Sequence, residues 1–238
     1  MKLEFSKDYY LRLSDFDRYS NIKPSAVLDL FQDIAALHAE MTGAGFDDLD
    51  KKDLLWVVAR TKIYIDKMPQ KYPDVKIKTW PLNPKGIICR REYLMTDALG
   101  EALIRGSSDW IVIDKNTRKP VRPIGIYPEN TEFIESIATN PKLKRITPDE
   151  NIIKSVKCIP GFCETDANGH INNIKYADIA LNAIVPEKSN YISFGIDYHS
   201  EVMPYEELSL EVSKEENTYF VNGISSLNER AFTCEIKY

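Results

Sequence analysis

The chain has 238 residues, 43% of them hydrophobic and 28% charged, with a formal net charge of −5. That length accommodates one large domain or two small ones and a substantial core, and the overall acidic balance, with no helix-turn-helix, zinc-finger or RNA-binding pattern, argues against nucleic acid as a partner. The opening MKLEFSKDYY carries charge where a signal peptide needs an apolar run, and LLWVVA is too short to span a bilayer, so a cytoplasmic location away from membranes is expected.

Four cysteines, Cys89, Cys158, Cys163 and Cys234, are too few for a disulfide scaffold and lack the close paired spacing of a zinc site, so buried, reduced thiols and no metal are expected. The charge is unevenly distributed: residues 51–123 hold 16 of the 31 Lys and Arg but 8 of the 36 Asp and Glu, a balance of +8 against −13 elsewhere. Such segregation can steer an acidic partner, although alternation as in VKIKTW also suits the solvated face of strands.

In chain order, a strand over about Leu3 to Leu13 leads through a polar turn to a helix from Pro24 to Met41. Pro24 suits a first helical turn, Val27, Phe31, Ile34 and Leu37 recur at helical spacing, and Gly43 lies just past the end. Strand-like segments LLWVVARTKIYI, DVKIKTWPL, GIICRREYLMTD and EALIRGSSDWIVID follow, the last two joined by a Gly-ended turn. From Lys115 to Asn151 five prolines break periodicity, which predicts a linker with some local helix. A second strand, turn, helix (Asn173 to Ile184) and four strands (YISFGIDYHSEV, ELSLEVSK, TYFVNGISSL, AFTCEIKY) repeat the first order. The expected organisation is α+β, with units 1–118 and 152–238 joined by a linker over 119–151.

A shift of 151 sets SDFDRYSN (14–21) on TDANGHIN (165–172), and a shift of 135 sets IDKMP (65–69) on SEVMP (200–204). On that register Asp166, Asn168, His170 and Glu201 stand where the first half has Asp15, Asp17, Tyr19 and Asp66. Only the second half then combines carboxylate, amide and imidazole, the set that acid–base chemistry uses. Asp166, Asn168 and His170 alternate just before a helix start, where free N–H groups favour developing negative charge, although the same residues also make a plain polar turn. No Gly-x-Ser-x-Gly elbow, zinc helix, phosphate loop or dinucleotide fingerprint occurs, so no cofactor is expected. Cys163, near Asp166, is expected to be packed rather than nucleophilic.

Several segments together resemble the acyl-acyl carrier protein thioesterases, with the chain as a bacterial relative of the plant enzymes. LLWVVARTKIYIDKMPQKYPDVKIKTWP is similar to the family's Trp-Val-x-x-Arg segment, CRREYLMTDALGEALIRGSSDWIVIDKNTRKPVRP to its Arg-Arg strand and following stretch, and DANGHINNIKYADIAL to its Asp-x-Asn-x-His-x-Asn-Asn-x-Lys-Tyr signature. The resemblance implies two tandem hot dog repeats, each a curled antiparallel sheet around one long helix, and hydrolysis of fatty acyl-acyl carrier protein to free fatty acid. It assigns catalysis to Asp166, Asn168, His170 and, in YHSEV, Glu201; Val202 stands where plant members have a Cys, which excludes a thiol nucleophile at that place. Asp166 with Glu201 would activate water or attack the thioester directly, Asn168 would position the reacting group, and His170 would transfer a proton or stabilise the oxyanion.

On the same resemblance, Val27, Phe31, Ile34 and Trp56 are candidates to line a dry acyl pocket, or equally plain core. Arg90, Arg91, Arg118 and Lys119, with Lys85 and Arg122, are candidates to dock the acidic carrier protein. Three alternatives stay open: a hot dog acyl-coenzyme A thioesterase, an enoyl-thioester hydratase, whose pattern has one residue more between Asp and His and a Pro, and a non-catalytic acyl-thioester binding protein. Chain-length preference and oligomeric state, a homodimer included, lie beyond the sequence.

Overall fold

The structure is a computed structural model that describes residues 3–71, 74–140, 142–148, 150–186 and 190–238. These residues group into two compact units, Met1–Ser14 with Asp29–Leu143 and Asp15–Leu28 with Lys144–Tyr238. In the first unit the strands are β1 (Phe5–Tyr10), β2 (Leu54–Ile65), β3 (Asp74–Pro81), β4 (Cys89–Thr96), β5 (Ala102–Asp114) and the two-residue β6 (Pro120–Val121). All pair antiparallel in the order β1-β3-β4-β5-β2, with β6 extending β5 beyond the end of β4. In the second unit β7 (Ile152–Cys158), β8 (Ser193–Tyr198), β9 (Leu208–Glu215), β10 (Thr218–Ile224) and β11 (Arg230–Lys237) pair antiparallel in the order β7-β9-β10-β11-β8. Counted from the first strand of each half, both orders are 1-3-4-5-2, so the repeat expected from sequence is a repeat of topology.

Each half carries one main helix. Helix α1 (Pro24–Met41) begins and ends where the sequence predicts, and its chain leaves through Gly43 at φ +70°, a left-handed conformation that costs glycine little. In the first unit Phe31 of α1 stacks on Tyr93 of β4 at 4.6 Å, and Gly106 of β5 leaves room for that ring, since a Cβ there would lie 2.4 Å from it. His38 lies against Phe5 of β1 and Arg91 of β4. Helix α3 (Lys175–Ile184) starts two residues later than expected and packs on β7, β9, β10 and β11, burying Tyr176, Ala177, Ile179, Ala180 and Ala183. A short helix, α2 (Phe46–Asp50), lies in the longer connection of the first half and buries Leu49 with Ala44, Val112 and Ile126.

The expected linker behaves differently from its sequence. Among the described residues of 119–151, which leave out Pro141 and Asp149, there is no helix. Its prolines remove helix donors, and up to Leu143 it belongs to the first unit rather than lying between units. Polar groups of the sheet fasten it: the buried Glu92 accepts the Ala138 N–H at 2.8 Å, the buried Arg90 donates to Thr139 Oγ1 and the Asn140 carbonyl, the partly exposed Arg105 donates to the Ala138 carbonyl, and Trp80 Nε1 donates to the Ser136 carbonyl. Conversely, the turn and helix start over 15–28 belong to the second unit, where Tyr191 donates to the Ile22 carbonyl and Ser25 to Asp178. The boundaries 1–118, 119–151 and 152–238 therefore differ from the observed units at both of these segments.

Candidate active site

The segment Thr165–Ile171 is a closed polar loop. Thr165 and Ile171 pair as an isolated antiparallel bridge, Asp166 N–H donates to the His170 carbonyl at 2.9 Å, and Gly169 turns the chain at φ +81°. Within it Asp166 Oδ1 accepts the Asn168 N–H at 2.8 Å and, more weakly, the His170 N–H at 3.4 Å, while Oδ2 lies 3.4 Å from the Asn168 amide nitrogen. Before the helix, Asn172 Oδ1 accepts the Ile174 N–H, a side-chain turn one step ahead of α3.

Glu201 comes from the segment that follows β8. His199 and Ser200 both donate their N–H to the Ala231 carbonyl, and the Val202 carbonyl accepts the Ile171 N–H at 2.9 Å. This backbone bond between the residues that follow Glu201 and His170 brings their side chains together: His170 Nε2 lies 3.4 Å from Glu201 Oε2. The imidazole is 29% exposed and the carboxylate 49%, so the pair is reachable from solvent. Asp166, Asn168, His170 and Glu201 thus form one cluster although more than thirty residues separate the first three from the last.

The cluster has a structural counterpart, but in a different register from the one the sequence suggests. In the first half, Phe16 bridges Ile22, Asp17 N–H donates to the Asn21 carbonyl, and Asp17 Oδ1 accepts the N–H groups of Tyr19 and Asn21 at 2.8 and 3.0 Å. Bond for bond this is the Asp166 loop at a shift of 149, not 151. Likewise Asp66 and Lys67 both donate to the Leu103 carbonyl as His199 and Ser200 do to that of Ala231, a shift of 133 rather than 135. The chemical positions Asp166, Asn168, His170 and Glu201 therefore answer to Asp17, Tyr19, Asn21 and Met68. Asp66, which the sequence set against Glu201, is instead held by a two-pronged ion pair with Arg105 at 2.6 and 2.7 Å. The sequence register was misled by identical Asp and Asn residues two positions away; in a polar turn the hydrogen-bonding role, not residue likeness, sets the equivalence.

Other expected site residues are placed elsewhere. Arg90 and Arg91 are 8% and 7% exposed, so neither offers a guanidinium to a docking partner. Arg90 pairs with the wholly buried Glu92 and with Ser107, while Arg91 donates to Thr79 and lies 3.0 Å from His38 Nδ1. Burial and the neighbouring Arg91 hold His38 down to about 4, so its imidazole is neutral. Arg118 and Lys119 are exposed, and Arg122 borders an open cavity of about 570 Å³ lined also by Asn83, Tyr127 and Phe133. Val27, Phe31 and Ile34 are buried, and Trp56 packs against the Ala44–Leu49–Val112–Ile126 cluster, with its Nε1 bonded to the Ala44 carbonyl. Cys89 and Cys234 are buried free thiols, the former pushed up to about 12 by burial; Cys158 is half-buried, and Cys163, expected to be packed, is exposed in the turn that precedes Thr165. Tyr176 is the residue next to the cluster that sequence reasoning left unassigned, although it stands within the quoted signature.

The model of the acyl-ACP thioesterase N-terminal domain family matches residues 2–129. The chain belongs to the acyl-ACP thioesterase family. A palmitoyl-acyl carrier protein thioesterase of Cuphea hookeriana is 28% identical over 200 aligned residues, in a match that covers 78% of this chain and 48% of that protein. The chain thus spans about half the length of the curated relatives it matches. An acyl-ACP thioesterase from Bacteroides thetaiotaomicron has the same fold, with a TM-score of 0.84 at 22% identity over 98% of this chain and 97% of that one. The 12:0-ACP thioesterase from Umbellularia californica also gives 0.84, at 21% identity over 99% and 96%. These acyl-ACP thioesterases share the hot dog architecture of this chain, and the Asp166–Glu201 cluster lies outside the stretch that the family model matches.

Proposed function

We propose that the chain hydrolyses the thioester of fatty acyl-acyl carrier protein, releasing free fatty acid and the carrier thiol. The observation that carries the reading is the 3.4 Å pair of His170 Nε2 and Glu201 Oε2 beside the Asp166 loop. Asp166 spends Oδ1 on the loop N–H groups, as Asp17 does in a loop without an imidazole, so its first role is to hold His170 and Asn168 in place. Proton transfer then falls to His170, oriented by Glu201. His170 takes a proton from water as the water oxygen bonds to the thioester carbonyl carbon. When the carbon–sulfur bond breaks, the same proton returns to the departing thiolate. The Asn168 amide, fixed by Asp166 Oδ2, is positioned to donate to the oxygen that becomes negative.

The carrier protein is proposed to approach the exposed basic residues Arg118, Lys119 and Arg122, Arg90 and Arg91 being unavailable. Hydrolysis is tested by assaying one preparation against acyl-carrier and acyl-coenzyme A thioesters of graded length, together with a 2-enoyl thioester. Thiol release fastest on the acyl-carrier substrates is expected; hydration without thiol release would overturn the reading. For docking, kcat/KM on the carrier substrate should fall several-fold between low and physiological salt, and less so in Arg118→Ala/Lys119→Ala/Arg122→Ala. A salt-independent wild type would remove these residues from the argument.

A further inference from the structure

We propose that the cavity beside the Asp17 loop is a second, non-reacting ligand site, built for a small monocarboxylate with an aliphatic body, the class to which a free fatty acid belongs. The site goes beyond the hydrolase reading and does not depend on it. The cavity holds about 290 Å³, and all of its lining lies in the second unit. That is the small end of ligand-sized cavities, which begin near roughly 300 Å³. Its walls are mainly apolar: Tyr19, Tyr191 and Tyr238, with Pro24 at the start of α1 and Leu181 and Val185 at the end of α3. The three tyrosines differ in what their hydroxyls do. Tyr191 donates to the Ile22 carbonyl at 2.7 Å and Tyr19 to the Pro186 carbonyl at 3.3 Å. The Tyr238 hydroxyl is buried and has no hydrogen-bond partner among the described residues. Burial, with Tyr219 and Asp17 close by, pushes Tyr238 up to about 12, so the group stays a protonated donor. An unmet buried donor is costly and calls for an acceptor from outside the chain.

The charges of the lining point the same way. Asp17 Oδ1 accepts two N–H groups of its own loop and Asp178 Oδ1 accepts the Ser25 hydroxyl at 2.6 Å, so both carboxylates are already engaged. Arg18 and Lys23 have no carboxylate partner among the described residues, and the Arg18 guanidinium lies over the Tyr19 ring at 4.9 Å. What the lining leaves unanswered is one O–H donor and two cations. A carboxylate satisfies these and an amine does not. The repeat supplies an independent indication. At the shift of 149, Arg18, Tyr19 and Lys23 answer to Ala167, Asn168 and Asn172. The loop without an imidazole thus carries two cations and an aromatic ring at positions where the His170 loop has a methyl group and two amides. That exchange suits a loop that holds an anionic amphiphile rather than one that reacts with a thioester.

The test is calorimetric titration of the whole protein with sodium octanoate. Binding with a Kd of roughly 0.1–1 mM is expected, as suits a ligand of about ten heavy atoms. 1-Octanol, which lacks the charge, should bind at least about 10-fold more weakly. Tyr238→Phe should raise the octanoate Kd by roughly 10-fold and, without ligand, should melt no lower than the wild type, because it removes a donor that had no partner. Lys23→Glu, a charge reversal on a half-buried side chain, should raise the Kd at least as much. Both variants should keep the wild-type kcat on an acyl-carrier thioester, and octanoate binding at the cavity should persist in His170→Asn. Absence of binding up to about 10 mM overturns the proposal and leaves the cavity to water. Binding that neither Tyr238→Phe nor Lys23→Glu weakens, or octanol binding as tightly as octanoate, overturns it as well, since the ligand then sits elsewhere or needs no carboxylate. A Tyr238→Phe protein that melts well below the wild type overturns its premise, that the hydroxyl lacks a partner. A wild type that binds octanoate as expected but releases no thiol from any thioester overturns the hydrolase reading alone, so the two failures are distinguishable.

Discussion

Two loops of this protein share one set of backbone bonds and differ in what they carry. In both, an Asp accepts two N–H groups of its own loop, a residue with positive φ turns the chain, and a bridge closes the base. Only the loop over Thr165–Ile171 has an imidazole facing a carboxylate. The Asp and the closed loop are thus a structural device of the fold, and the proposed chemistry rests on residues added to it, Asn168, His170 and Glu201, where the first half has Tyr19, Asn21 and Met68.

The comparison can be tested by making the second half resemble the first. His170→Asn and Glu201→Met install the first half's residues in the second. Each should lower kcat by about 10²–10⁴-fold with circular dichroism and melting temperature little changed. A rate within two-fold of wild type in either variant would break the distinction between the loops.

The next effect concerns charged groups that serve the first unit's stability. Arg90→Ala leaves Glu92 buried without its cation, which should cost roughly 3–5 kcal/mol in denaturant unfolding and leave the salt dependence of kcat/KM as it was. A weakened carrier response in a protein of normal stability would return Arg90 to the docking surface.

A second imidazole, that of His38, sharpens the contrast further. His38 is neutral when folded, at about 4, against an ordinary value of 6.5 in the unfolded chain. A folded-state value below the unfolded one means that the unfolded chain binds the extra proton. His38 therefore adds nothing to the pH dependence above about 6.5, and stability should fall on acidification from there toward 4, by on the order of 2–3 kcal/mol. In His38→Gln that part of the slope should vanish while kcat persists. An unchanged slope would assign the acid sensitivity to other groups.

The smallest effect separates the two aspartates. Asp17→Ala should cost about 1 kcal/mol of stability and leave kcat unaltered, because Asp17 only satisfies loop donors. Asp166→Ala should show a similar loss of stability together with a large loss of rate. Equal losses of rate in both would mean that the first loop takes part in the reaction.

Much of this was legible in the residues. Pro24 and Gly43 delimit α1, LLWVVARTKIYI coincides with β2, and the Asp-x-Asn-x-His pattern before a helix marked the loop that carries His170. These are local matters: strand alternation, helical spacing, proline and glycine at ends, and a turn that side chains close on themselves. The helix expected between Lys115 and Asn151 failed for the opposite reason, since Arg90, Glu92 and Arg105 fasten that segment along the sheet and nothing in its own sequence records them.

The sequence by itself determined most of the elements, their repetition and the side chains proposed to react. Only the tertiary structure decided which positions of the two halves correspond, that the Arg-Arg pair of β4 is buried and structural, and that Glu201 meets His170 through Val202. Periodicity and turn chemistry act over a few neighbouring residues, whereas register, burial of charge and the meeting of distant side chains depend on hydrogen bonds between segments that folding alone brings together.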